Sequence, residues 1–155
     1  MALLNVVVTL GIALAVSRFS GVSANPAMEM LRGQATGDRV MFFLRTLPQL
    51  FGEEVITVLP FLAIAWLLHM KCGLGRTAAL VLAWLGAAVL FGMAHLPTYD
   101  WNWVQCLVII GSARLVLLLG YLKTRNIWVS TGAHIINDWL LFGAMLLLSG
   151  LLAPA

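Results

Sequence analysis

Five apolar stretches, most of them near the length of a membrane-spanning helix, run through this sequence and limit the folds that it can adopt. A helix needs about 20 mostly apolar residues to cross a bilayer, and the stretches cover residues 1–17, 40–70, 77–96, 104–122 and 127–152. The last is too long for one untilted span, so we expect either one tilted helix or a helix followed by a partial one. An open sheet cannot satisfy its backbone in lipid. We therefore predict an all-α polytopic membrane protein, a bundle of five or six transmembrane helices without strands.

The charge content supports the membrane assignment and excludes two other classes. Hydrophobic residues make up 62% of the chain and charged residues 10%, whereas a soluble domain has about 25% charged residues. The net charge is only +3, and no Lys/Arg cluster suited to a phosphate backbone is present. We expect the lipid bilayer as a partner and no nucleic acid. Cys72 and Cys106 are isolated from each other in sequence, so neither a disulfide nor a thiolate zinc site is predicted.

The chain reads as a single domain over residues 1–155. Residues 1–17 lack a basic segment before their apolar run, and Arg18 follows before a plausible cleavage point. We therefore expect a retained transmembrane helix and not a removed signal peptide. Residues 18–45 mix charged and apolar side chains, which predicts a loop with an interfacial amphipathic segment. The expected location is the cell membrane, with several passes, in a bacterial inner membrane.

Ionisable side chains lie within or at the ends of the predicted spans. Each costs at least a few kcal/mol in lipid unless it is paired or hydrated. They are Glu53, Glu54, His95, Arg114, His134 and Asp138, and Asn137 adds an amide. One explanation is a structural polar network that holds the helices together. The other is a functional site inside the membrane.

The spacing of these residues favours a site. Glu53 and Glu54 are adjacent, so they project about 100° apart on a helix, and one can face a cavity while the other reaches a neighbouring helix. His134 and Asp138 are one turn apart on a single face. A carboxylate so close to an imidazole can fix its tautomer and raise its basicity. Together with His95, three helices supply a carboxylate base, two imidazoles and an anchoring carboxylate, enough to activate a water and stabilise an oxyanion.

Three short patterns resemble the motifs of the CPBP family of intramembrane proteases, which includes the CAAX-prenyl endopeptidases and the abortive-infection-like proteins. The family patterns are Glu-Glu-x-x-x-Arg, Phe-x-x-x-His and His-x-x-x-Asn/Asp, in this order on separate helices. Here they are matched by Glu53-Glu54, Phe91-Gly92-Met93-Ala94-His95 and His134-Ile135-Ile136-Asn137-Asp138. The resemblance covers about residues 45–145, the motif-bearing core.

The resemblance implies an intramembrane endopeptidase of the glutamic type. Glu53 would deprotonate a water with the help of His95, and His134 and Asp138 would hold the water or the oxyanion on the opposite wall. Glu54 is a further catalytic candidate, and Asn137 and Arg114 are supporting residues. The implied substrate is a membrane-anchored peptide or the C-terminal tail of a protein. The resemblance implies no obligatory metal.

This sequence departs from the family pattern at two positions. The arginine that should follow Glu54 by four residues is Val58, and the third motif ends in Asp138 where asparagine is common. Arg114, in another span, therefore needs a partner. Counting helical rise along straight helices of equal tilt favours an Arg114–Asp138 ion pair. Arg114–Glu54 is the alternative pairing, and snorkelling of Arg114 to a headgroup is the third possibility.

Other chemistries remain open at this stage. Glu53, His95 and His134 could ligate zinc by residue type, although no His-Glu-x-x-His pattern is present. A rhomboid-like serine protease fits less well, because Gly111-Ser112-Ala113-Arg114 is not a Gly-x-Ser-x-Gly turn. A non-catalytic membrane scaffold or a small transporter could use the same Glu/His cluster. The short chain offers few helices for alternating access.

Overall fold

The structure, a computed structural model, describes the backbone of residues 1–151 and the side chains of residues 1–148. Its longer elements are α1 (Ala2–Val16), α2 (Pro26–Arg32), α3 (Thr36–Trp66), α4 (Arg76–Ala94), α5 (Gly111–Thr124) and α6 (Ile127–Leu151). A π-helical turn, Leu67–Lys71, continues α3, and another, Gln105–Ile110, leads into α5. A 3₁₀ turn, Leu96–Tyr99, follows α4. No strand occurs in residues 1–151, and the predicted all-α class is confirmed.

The predicted spans agree with the observed helices in number and place. Four helices are long and apolar enough to cross a membrane, Thr36–Lys71, Arg76–Ala94, Gln105–Thr124 and Ile127–Leu148, and α1 is a shorter apolar helix. Together they match the lower end of the predicted five or six. The last stretch forms one helix, α6, in the described residues; its predicted final residue, Leu152, lies outside them.

The second span begins earlier and is longer than the sequence predicted. The charged Asp38 lies in the first turn of α3, where a carboxylate complements the helix dipole, and the helix continues through Pro48 and Pro60. Helix and π-turn together comprise 36 residues, about 54 Å of rise, against a hydrocarbon core of about 30 Å. This element must therefore tilt strongly or project beyond the lipid.

The four long helices form a ring, in which α3 packs against α4 and α6, and α5 packs against the same two helices. A face of small residues on α4, including Ala79, Ala83 and Ala87, is buried and lets neighbouring backbones approach closely. Gly92 is the tightest of these positions, because a Cβ there would lie 2.5 Å from the carbonyl oxygen of Cys106. The ring leaves an interior space bordered by all four helices.

The N-terminal elements cover this ring. Helix α1 packs against α5 and α6, and α2 packs against α6. The side chain of Asn25 accepts a hydrogen bond from the backbone of Ala27 at the start of α2, as an N-cap residue before a proline at the first helical position should. Gln105 bonds both the backbone N–H and the carbonyl of Ser23, at 2.7 and 2.9 Å. The α1–α2 connection is thereby tied to the π-helical turn that leads into α5.

Candidate active site

A cavity of about 600 Å³ lies inside the bundle, and the ionisable residues singled out by the sequence border it. Its lining includes Glu53, His95, Arg114, His134, Asn137 and Asp138, contributed by α3, α4, α5 and α6. Glu54 lies behind this wall and contacts two of its members. All four residues that the sequence predicted to converge, Glu53, His95, His134 and Asp138, line this one cavity. Their catalytic roles stay a prediction.

Glu54 and Arg114 form a fully buried ion pair between α3 and α5. Neither side chain has any exposed surface, and Nη2 of Arg114 donates to Oε1 of Glu54. The same oxygen lies 3.1 Å from Nδ1 of His134. Nη1 of Arg114 is 3.3 Å from that nitrogen. A guanidinium can only donate and a carboxylate can only accept, so Nδ1 of His134 cannot bond both groups at once. The carboxylate is the nearer of the two, at 3.1 Å against 3.3 Å, so we assign the proton to Nδ1, which then donates to Oε1 of Glu54 and makes no hydrogen bond with Arg114.

The predicted Arg114–Asp138 ion pair is wrong, and the alternative, Arg114–Glu54, is correct. The depth argument counted helical rise from the helix ends at Met70, Leu122 and Asn126 and assumed straight helices of equal tilt. The direct contact between Glu54 and Arg114 places them at the same level, so this assumption fails. Val58, which stands where the family pattern has arginine, packs in an apolar cluster with Phe61 and Leu118. Glu54 receives its guanidinium from a different helix.

Two carboxylates face the other nitrogen of His134. Nε2 lies 3.8 Å from Oε2 of Glu53 and 3.7 Å from Oδ1 of Asp138. These distances exceed a direct hydrogen bond and suit a bridging water. Glu53 is held from behind, since Nε2 of Gln49, one turn earlier on α3, donates to its Oε1 at 3.0 Å. The arrangement leaves Oε2 of Glu53 directed toward the imidazole.

His95 follows the last residue of α4 and lines the cavity. Its Nδ1 lies 2.9 Å from the carbonyl oxygen of Phe91. A carbonyl only accepts, so Nδ1 carries the proton and Nε2 is free to accept or, in the imidazolium form, to donate. The rings of Phe91 and His95 are 4.5 Å apart, and the guanidinium of Arg114 lies 4.7 Å from the centre of the Phe91 ring. Phe91 thereby separates the buried ion pair from the histidine.

The structure adds cavity residues that the sequence did not single out. Tyr99 lines the cavity and is buried; it belongs to the 3₁₀ turn outside the spanning helices, and burial raises the pKa of its phenol to about 12. Its spacing of one turn after His95 was a usable signal, but tyrosine is also typical of membrane interfaces. Asn5 and Gln105 line the cavity as well, although no motif includes them. Their positions depend on how distant segments pack.

The same side chains were also the candidates for a zinc site. Among the described residues, no group of three or more His, Cys, Asp or Glu side chains has an arrangement suited to holding a metal ion. Glu53 and Asp138 flank one nitrogen of His134, and its other nitrogen is engaged with Glu54.

Comparison with known proteins identifies the family. The model of the type II CAAX prenyl endopeptidase Rce1-like family matches residues 36–140, about two thirds of the chain, from the start of α3 into α6. No curated protein matches the sequence. No solved structure matches it. The matched region contains all three motifs and agrees with the resemblance found in the sequence. The chain therefore belongs to the Rce1-like family of type II CAAX prenyl endopeptidases, a family of membrane proteases.

Proposed function

We propose that this protein is an intramembrane endopeptidase in which Glu53 activates a water for attack on a peptide bond. The observation that carries the proposal is the meeting of Glu53 and Asp138 around Nε2 of His134, at 3.8 and 3.7 Å, on the wall of an internal cavity. A water at this point would have two carboxylate acceptors and an imidazole within reach. A single ionisable group is costly in lipid, and an internal polar site is where several such groups can be hydrated or paired.

The proposed reaction starts with Glu53 as general base. The water oxygen attacks the carbonyl carbon of the substrate while Oε2 of Glu53 takes its proton. The tetrahedral intermediate then collapses, the C–N bond breaks, and Glu53 returns the proton to the leaving nitrogen. His95, whose Nε2 is free, would assist by bonding the water or the leaving group. Only groups already on the cavity wall are required.

Oxyanion stabilisation falls to His134 in this scheme. An ionised carboxylate accepts hydrogen bonds and donates none, so Asp138 is suited to holding the water and not the oxyanion. Nδ1 of His134 donates to Glu54, which orients the ring, as a buried carboxylate does for the histidine of a catalytic triad. When the ring is an imidazolium, its Nε2–H donates to the developing negative charge. Glu54 and Arg114 act as a positioning pair behind the imidazole.

The proposed substrate is a membrane-anchored peptide or the C-terminal tail of a membrane-bound protein. Apolar side chains such as Leu50, Ile109 and Phe142 line much of the cavity around the polar cluster. Such a site favours an extended apolar segment delivered from the bilayer. The membership in a CAAX endopeptidase family supports the same class of substrate.

The test is cleavage of fluorogenic peptides, prenylated and unprenylated, by the purified protein in liposomes. Glu53→Gln should lower the rate by at least about 100-fold, the contribution of a general base, and should leave the unfolding temperature nearly unchanged because Gln49 can still donate to the amide oxygen. Asp38→Asn, on the exposed first turn of the same helix, is the matched control and should cleave normally. Equal rates for the two variants would contradict the mechanism. Peptide binding without cleavage by the unaltered protein would favour a scaffold.

A further inference from the structure

The first helix has a polar face that reaches the proposed active site. Asn5 and Thr9 are one turn apart in an otherwise apolar helix, so they share a face, and both line the cavity. Asn5 has no exposed surface. Helix α1 precedes residues 36–140, the part of the chain that the family model matches. The three motifs of the family therefore do not account for these residues.

A chain of side-chain hydrogen bonds connects this face to Asp138. Oγ1 of Thr9 donates to Oδ1 of Asn5 at 3.5 Å. Nδ2 of Asn5 donates to Oδ1 of Asn137 at 3.0 Å, across the α1–α6 boundary. Nδ2 of Asn137 donates to Oδ1 of Asp138 at 2.9 Å. The last oxygen is also the atom that lies 3.7 Å from Nε2 of His134.

The carboxylate determines the direction of every bond in this chain. Ionised Asp138 only accepts, so Asn137 must turn its NH₂ toward it and its oxygen away. Asn5 must then turn its own NH₂ toward Asn137, which leaves its oxygen for Thr9. All donors point toward Asp138, and hydrogen bonds aligned in this way reinforce one another in a medium of low polarity. Without Asn5, the oxygen of Asn137 would lose this donor, and the amide could turn over.

We propose that Asn5 is a positioning residue for the proteolytic site, acting through Asn137 to orient the carboxylate of Asp138. This inference rests on the proposed function, because Asp138 matters only if it holds the reacting water. Helix α1 then contributes a residue to the active site in addition to packing against α5 and α6. A structural role alone, docking α1 by one hydrogen bond between helices, would affect stability without a specific effect on turnover.

The test compares Asn5→Leu with the unaltered protein in the liposome cleavage assay. Leucine keeps the branched outline of asparagine, with two methyl groups in place of the amide oxygen and nitrogen, but it is larger, so some cost from overpacking is expected in stability. We expect kcat to fall about tenfold, the equivalent of losing one hydrogen bond that supports a charged group, with KM little changed. Ala2→Leu, which alters a buried position on the same helix outside the cavity lining, is the control for docking. It should lower the unfolding temperature and leave kcat unchanged.

The Asp138→Asn background separates positioning from docking. A neutral amide accepts hydrogen bonds about half as strongly as a carboxylate, so the effect of Asn5→Leu on kcat should shrink from about tenfold to about threefold there. The same factor in both backgrounds, an unchanged kcat in Asn5→Leu, or an equal loss in Ala2→Leu would overturn the proposal. Absence of cleavage by the unaltered protein would instead contradict the proposed function.

Discussion

Replacing Arg114 by leucine should destabilise the protein strongly. A second substitution at its ion-pair partner, Glu54, should recover part of the lost stability. Arg114 and Glu54 are both without exposed surface, and removing one member of a buried ion pair costs about 3–5 kcal/mol. Glu54 keeps a second partner, Nδ1 of His134 at 3.1 Å, so the lower end of this range applies. For a chain of this size, about 3 kcal/mol corresponds to a fall in unfolding temperature of about 6–12 °C.

Two double variants identify the partner of Arg114. Arg114→Leu is combined with Glu54→Gln in one and with Asp138→Asn in the other. With Glu54→Gln, no buried charge is left unpaired, and the remaining cost is that of an imperfectly bonded amide, about 1–3 kcal/mol. The double variant should therefore be more stable than Arg114→Leu alone. With Asp138→Asn the carboxylate of Glu54 still lacks its guanidinium partner, so the two losses should add.

The assay is thermal unfolding of the purified variants in detergent, followed by circular dichroism and checked for reversibility. Glu54→Gln alone is the reference for the effect of the amide at that position. If Asp138→Asn relieved the Arg114→Leu defect and Glu54→Gln did not, the ion pair described here would be wrong. Additive losses in both combinations would show that Arg114 is coupled to neither carboxylate.

Three further predictions concern packing, pH and metal. Gly92→Ala should lower the unfolding temperature, because its Cβ would lie 2.5 Å from the carbonyl oxygen of Cys106 and overpacking costs about 1–3 kcal/mol. Gly132→Ala, whose Cβ would have no atom within 4 Å, is the control and should be neutral or stabilising. Equal changes in unfolding temperature for the two variants would contradict the packing. Burial raises the pKa of Tyr99 to about 12, whereas an unfolded tyrosine has a pKa of about 10. Between these values the unfolded state binds fewer protons, so the free energy of unfolding should fall from about pH 10 to 12. Tyr99→Phe should reduce this pH dependence in thermal melts, and an identical pH dependence would refute the assignment. Cleavage should survive phenanthroline, since a glutamate can serve as base alone; loss of activity that Zn²⁺ restores would assign the reaction to a metal.

The motif residues could be found in the sequence because their cost in lipid is high wherever they lie. Glu53, His95, His134 and Asp138 each had to face a shared polar space, and the structure lines one cavity with all four. Asn5 could not be found in this way, because one amide in an apolar helix is equally suited to many interhelical contacts. Tyr99 was hidden for a similar reason, since its loop also has the composition of a membrane interface.

Hydropathy and helical spacing alone determine that this chain is a helical membrane protein with a polar cluster inside the bilayer, because both follow from the free energy of placing single residues in lipid. They also place His134 and Asp138 on one face of α6, which depends only on local geometry. The tertiary structure alone decides that Arg114 pairs with Glu54 and that Asn5 reaches Asn137. Those contacts depend on the tilt and relative depth of whole helices, which are set by packing between distant segments and not by any residue's own preference.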